Sequence, residues 1–333
     1  MLQDINDIIY FDKDANIALI QSKKIAIIGY GNQGRAQALN LRDSGVEVQI
    51  GLREKSDSIQ KAQKEDFKCQ DIESATKWAD IICLLVPDQY MAEIYENNIK
   101  HCLSPGKTLL FSHGYNIHYK LIDPNPDCNV VMVAPSGPGY AVRKKYQEGE
   151  GVPNLIAIKQ DVTSDALDLT LSYSKAIGGT RACAFKSTFK EETETDLFGE
   201  QVILTGLFPR IIKESFKVLL DDGYSPVVAW FVCFYEAKNI VDLFSEKGID
   251  NMFKAVSETA EYGGQTRADR LIDDDTAGEM KKILQEIKSG EFHKEWMNES
   301  ENGLPTLKQY RKPNEVEQLF NELTSILLPK IKA

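Results

Sequence analysis

Three groups of residues in this chain have types and spacings that could do chemistry. The first is Gly29-Tyr30-Gly31-Asn32-Gln33-Gly34, a GxGxxG hexapeptide. It follows an apolar run, Lys24 to Ile28, and opens a stretch of helical periodicity from Gln33 to Asp43 that Ser44-Gly45 ends. In that setting Gly29 permits a tight turn, Gly31 lets backbone approach a pyrophosphate, and Gly34 lets the helix pack close to the strand. The helix N-terminus turns free N–H groups and its dipole toward the phosphates. All six residues are assigned to dinucleotide binding.

The second group follows the next apolar run and reads Gly51-Leu52-Arg53-Glu54-Lys55-Ser56-Asp57-Ser58. NAD-binding proteins usually place an acid at this strand end to hold the ribose 2′-hydroxyl. Here Arg53 can clamp a 2′-phosphate, and Ser56 and Ser58 can donate to it, which points to NADPH. Glu54 or Asp57 would repel a phosphate if it turned inward. The third group is Asp196, Glu200 and Glu236. Asp196 and Glu200 are four apart and share a helix face. Glu236 lies in the apolar segment Trp230 to Ala237, where an acid is expected to be paired. Together the three could share a hard cation, Mg²⁺ being the natural one because it takes oxygen ligands. Two other readings stay open. Asp196 and Glu200 could be first-turn acids facing a helix dipole, and Glu236 could pair with Lys213 or Lys238.

These side chains need elements to position them. The first half alternates short apolar strands with helical stretches: Lys24–Ile28, Val46–Leu52, Asp80–Val86, Thr108–Phe111, Val130–Ala134 and Leu155–Ile158. Continuous apolar strands separated by helices imply a parallel sheet covered on both faces. From Glu191 onward the apolar spacing is helical, through Leu197–Leu220, Val227–Phe244, Ile249–Ala260, Met280–Ile287 and Val316–Leu328. The expected architecture is an α/β Rossmann-type N-terminal domain, residues 1–185, followed by an all-α C-terminal domain, residues 186–329.

Composition bounds the function. With 333 residues and 42% hydrophobic side chains, the chain can bury two ordinary cores. A formal net charge of -11 argues against nucleic acid or an anionic membrane as partner. No signal peptide and no membrane-length apolar run is evident, so a cytoplasmic location is expected. Cys69, Cys83, Cys102, Cys128, Cys183 and Cys233 form no CxxC pair and suit small buried hydrophobes in a reducing compartment.

Several strings together resemble the ketol-acid reductoisomerase family in its short form. They are GYGNQG at 29–34, GLREKSDS at 51–58, LFSHGYNIHY at 110–119, VMVAPSGPGYAVR at 131–143, KEETETDLFGEQ at 190–201, AEYGGQTR at 260–267 and SGEFHKEW at 289–296. The family uses Mg²⁺ and NADPH to convert a 2-aceto-2-hydroxy acid in branched-chain amino-acid synthesis, by alkyl migration and then hydride reduction. The resemblance implies that Asp196 bridges two Mg²⁺ ions, that Glu200 holds one of them, and that Glu236 is the second acid of a Glu-x-x-x-Glu pair. It further implies an active-site role for His113, a substrate-carboxylate contact for Ser257 and a cofactor contact for Gly139. It also implies a homodimer, or a multiple of one, in which helical domains interlock and both chains supply metal ligands.

Two positions depart from the pattern. The first Glu of the helix pair falls on Val232, and the lysine of the family's Ala-Pro-Lys-x-Pro-Gly segment falls on Ser136. Val232 cannot bind a cation, so one Mg²⁺ ion is expected rather than two. Alkyl migration needs one oxygen deprotonated while a neighbouring carbonyl is polarised, which cations and an ammonium supply. Each lost contact of this kind costs a few kcal/mol, roughly a hundredfold or more in rate. Hydride delivery asks for less. The expectation is an NADPH-dependent reductase of a small 2-keto acid or related carbonyl or imine. The alternatives are a true ketol-acid reductoisomerase and a non-catalytic dinucleotide-binding relative.

Overall fold

The computed structural model describes residues 7–331, which form two compact units divided between Thr195 and Asp196. The division falls inside the helix Phe189–Gly199.

The first unit is built on a nine-stranded sheet. Its strands are β1 (Ile9–Tyr10), β2 (Lys24–Ile28), β3 (Glu47–Gly51), β4 (Lys68–Gln70), β5 (Ile81–Leu84), β6 (Thr108–Phe111), β7 (Asn129–Pro135), β8 (Asn154–Gln160) and β9 (Ala184–Lys186). Their order is β1-β9-β8-β7-β6-β5-β2-β3-β4. From β4 across to β7 every pairing is parallel. The expected parallel sheet is met across these strands, while β8 runs antiparallel to β7 and β1 antiparallel to β9. Beyond β7 the chain forms the helix Gly139–Gln147 and returns to the end it left: Ser136 N donates to Pro153 O at 2.8 Å. β8 therefore starts where β7 finishes.

Pleating sends alternate residues of β2 into two cores. Ile25 and Ile27 pack with Leu41, Val131 and Tyr173, while Ala26 and Ile28 pack with Ile72, Ile82 and Tyr95. Both faces are dry, which is why the strand reads as an unbroken apolar run. The order reverses at β2, with β3 on one side and β5 on the other. Open α/β sheets bind ligands in the crevice beyond the strand ends at such a reversal.

The second unit is helical throughout its described residues. Phe189–Gly199 continues through a π segment, Glu200–Leu207, into Phe208–Asp221. Pro226–Trp230 likewise continues through a π segment, Phe231–Tyr235, into Glu236–Lys247. Its core gathers Phe216, Ala229 and Trp230 against Phe320 and Leu323 of the helix Glu315–Ile331. Trp230 Nε1 donates to Thr324 Oγ1 at 2.9 Å. The expected single helix Ile249–Ala260 is two, Ile249–Phe253 and Glu258–Leu271, because Ser257 caps the second one through the N–H of Ala260. No helix among the described residues is long and apolar enough to cross a membrane. All six cysteines are free thiols.

Candidate functional site

The glycine loop sits at the strand reversal, directly after β2. Gly29 has φ +100°, and a Cβ there would lie 2.5 Å from Leu85 O, so only glycine fits this turn. Gly31 caps the helix Asn32–Asp43, and a Cβ built on it meets only open space. Gly34 is buried beneath the turn. Gly139 is close-packed instead: a Cβ would come within 2.1 Å of Asn32 O, so the loop after β7 presses directly on the glycine loop. Gln33 reinforces that contact, its Nε2 donating to Gly137 O at 2.8 Å. Tyr30 is among the residues that line the cavity beside this loop. It is buried, stacks edge-on against Phe67 and donates to Glu65 Oε2 at 2.6 Å. Burial pushes its phenol well above the ordinary tyrosine range.

A cavity of about 230 Å³ opens beside this loop. Gly29, Gly31, Arg53, Ser56, Ser58 and Val86 help to line it. Arg53 is exposed at the end of β3, and Ser56 Oγ accepts the N–H of Ser58 at 3.3 Å. Glu54 lines a neighbouring cavity with Lys55 and Asp71.

The strand-end loop after β6 carries His113. Its Nδ1 lies 2.9 Å from Glu192 Oε1, and the other carboxylate oxygen accepts the N–H of Gly114 at 2.7 Å. Glu192 is 2% exposed. A carboxylate only accepts, so Nδ1 carries the ring hydrogen. A second pair lies alongside, His118 Nε2 to Glu194 Oε1 at 3.5 Å. Burial pushes the His118 imidazole below its usual range, against the smaller opposing pull of Glu194. Sequence reasoning missed Glu192 and Glu194. The signal for Glu192 was present, since residues 192, 196 and 200 recur every four along one helical run.

The acids of the helical run stand differently from expectation. Asp196, Glu200 and Glu236 are all exposed in the single chain, so the expected burial of Glu236 is corrected. Its apolar neighbours Phe231 and Val232 are exposed as well. The helix begins at Phe189, and its first-turn acids are Glu191 and Glu192. That removes the helix-dipole reading of Asp196 and Glu200. Lys213 binds Glu317 and Lys238 binds Asp242, so neither lysine is held by Glu236. Val232 lies within the π segment and Glu236 immediately follows it. Ser136 is exposed just beyond β7, and Ser257 is exposed at its helix cap.

Comparison with known proteins gives this geometry a family. Residues 19–183 match the acetohydroxy acid isomeroreductase, NADPH-binding domain, and residues 189–326 match the ketol-acid reductoisomerase, C-terminal domain. The chain belongs to the ketol-acid reductoisomerase family. An NADH-preferring ketol-acid reductoisomerase from an uncultured archean is 40% identical, with a TM-score of 0.92 over 96% of this chain and 99% of that one. A semialdehyde dehydrogenase NAD-binding protein from Cupriavidus necator, 20% identical, shares the fold at a TM-score of 0.64 over 80% of this chain and 99% of its own. As a ketol-acid reductoisomerase family member, the chain is an oxidoreductase with an NAD(P)H-binding domain of Rossmann type.

Proposed function

We propose that this family member is an NADPH-dependent reductase of a small 2-keto acid, or a related carbonyl or imine, with impaired alkyl migration. One observation carries the reading. His113 is held by a buried carboxylate, while Val232 and Ser136 stand where the family resemblance places an acid and a lysine.

The residues support the steps as follows. The glycine loop and the helix N-terminus after it receive the pyrophosphate. Arg53, Ser56 and Ser58 line the adjoining cavity, and their donors suit a 2′-phosphate, which favours NADPH. When bound, NADPH would supply the hydride for the carbonyl carbon, and the imidazolium form of His113 would supply the proton for the oxygen. Glu192 fixes the ring's tautomer and aim throughout. Asp196 and Glu200 carry exposed carboxylate oxygens of the kind Mg²⁺ takes, and these residues, with Glu236, would hold it. When bound, Mg²⁺ supplies Lewis-acid polarisation of the carbonyl. Val232 contributes only hydrocarbon, which favours one ion over two.

A true ketol-acid reductoisomerase, converting 2-acetolactate to 2,3-dihydroxy-isovalerate, is the second reading. Retention of Asp196, Glu200 and Glu236 favours it. The His113–Glu192 pair speaks against a non-catalytic relative. Leu204, Val218, Val228 and Leu271 of the helical unit are exposed apolar side chains. They support a homodimer or a multiple of it, and a cytoplasmic enzyme is the fitting setting. The test is NADPH oxidation with a panel of small 2-keto acids, with Mg²⁺ and with a chelator. Oxidation with at least one keto acid supports the reading, and none with any of them refutes it.

A further inference from the structure

Gln37 sits one turn beyond Gln33 on the helix Asn32–Asp43 and is fully buried. Neither the family strings nor the cofactor assignment uses it. A side-chain amide in such surroundings must find partners, and Gln37 has three. Its Oε1 accepts the hydroxyl of Tyr173 at 2.7 Å, and Tyr173 is itself fully buried. Its Nε2 donates to Gln33 Oε1 at 3.1 Å and to Ser112 Oγ at 3.0 Å. Gln33 then passes the chain on, donating to Gly137 O at 2.8 Å.

Apart from Tyr173, on the helix Ala166–Ala176, the groups so linked lie at three separate strand ends. Gln33 is part of the glycine loop after β2. Ser112 precedes His113 after β6. Gly137 follows Ser136 after β7. Gly137 O only accepts, so Gln33 must turn its Nε2 to it and its Oε1 to Gln37. That sets the Gln37 amide with Nε2 toward Gln33 and Ser112 and Oε1 toward the Tyr173 hydroxyl, so the direction of the chain is fixed from Gly137 inward. Burial makes each bond expensive to leave unmade.

We propose that Gln37 is a positioning residue of the active site, whose amide holds the cofactor loop, the His113 loop and the Ser136 loop in one register. It touches neither cofactor nor substrate. It acts through Gln33 on cofactor binding and through Ser112 on the His113 step. The inference rests on the reductase reading, with Gln33 as the arm toward the pyrophosphate and Ser112 as the arm toward proton transfer.

The experiment compares Gln37→Met, Gln33→Met and Ser112→Ala in the full chain. NADPH affinity is read by fluorescence, turnover at saturating cofactor by NADPH oxidation, and the melting temperature alongside. Gln33→Met, at a residue of the cofactor loop itself, should weaken NADPH binding roughly five- to tenfold. Ser112→Ala should lower turnover about tenfold with NADPH affinity unchanged. Gln37→Met should show both effects. If it does not fold, the binding loss in one single-arm variant and the turnover loss in the other still decide the matter. A lowered melting temperature without that loss, in either arm, overturns the proposal and leaves Gln37 a packing residue. Wild-type chain that binds no NADPH would instead defeat the reductase reading, a result the same titration reports separately.

Discussion

Glu192 grips the His113 loop with both oxygens, Oε1 at 2.9 Å from the imidazole Nδ1 and Oε2 at 2.7 Å from the N–H of Gly114. One buried carboxylate thus sets both the ring and the backbone beneath it. Glu192→Gln places an amide nitrogen against one of these two donors. Turnover should fall about a hundredfold, in the range expected for loss of a positioned acid, while NADPH affinity changes little. Steady-state kinetics beside a fluorescence titration checks this. Equal losses in binding and turnover would point to general unfolding of the loop instead.

On the proposed reading Arg53 governs the choice of dinucleotide. Arg53→Ala should raise the NADPH dissociation constant roughly tenfold to a hundredfold, the usual loss for a charge-assisted phosphate contact. NADH has no 2′-phosphate and should bind nearly as before. Titration of wild type and variant with both dinucleotides measures the difference, and a parallel loss for both would remove Arg53 from this role.

Val232 and Ser136 carry the argument about isomerisation. Val232→Glu with Ser136→Lys restores one carboxylate and one ammonium, leaving the formal charge unchanged. Conversion of 2-acetolactate should rise about a hundredfold or more. Product analysis of quenched reactions shows it, and no gain would mean that other residues limit the migration.

His118 gives a pH signature. Burial holds its folded-state affinity for a proton below that of the unfolded chain. In the window just below the ordinary value of about 6.5, the unfolded state binds more protons, so stability rises with pH there. It is fully present above that value and is lost as pH falls through the window. His118→Gln should flatten this part of the curve. Urea unfolding of both proteins from about pH 5 to 8 supplies the comparison. Superimposable slopes would assign the dependence to other groups.

The central strands were legible because burial on both faces writes an unbroken apolar run, as in Lys24–Ile28. The direction of β8 was not, because Leu155–Ile158 is apolar whichever way it runs. β4 and β9 are three residues each, too short for periodicity to register. The π segments at Glu200–Leu207 and Phe231–Tyr235 escaped because an extra residue in a turn barely disturbs a helical apolar pattern. The cofactor loop could be placed from its glycines and flanking elements. Glu236 could not, because apolar neighbours read as a sign of burial, and Phe231 and Val232 are exposed in the single chain. Glu192 was hidden for the opposite reason: a charged string reads as surface until the fold lays His113 against it.

The most direct measurement compares kcat/KM for 2-acetolactate with that for the rearranged 2-keto-3-hydroxy acid on the unmodified enzyme, with NADPH and Mg²⁺. The rearranged acid should be reduced at least about a hundredfold more efficiently, since it skips the step that Val232 and Ser136 leave unsupported. Equal efficiencies for the two would contradict the account.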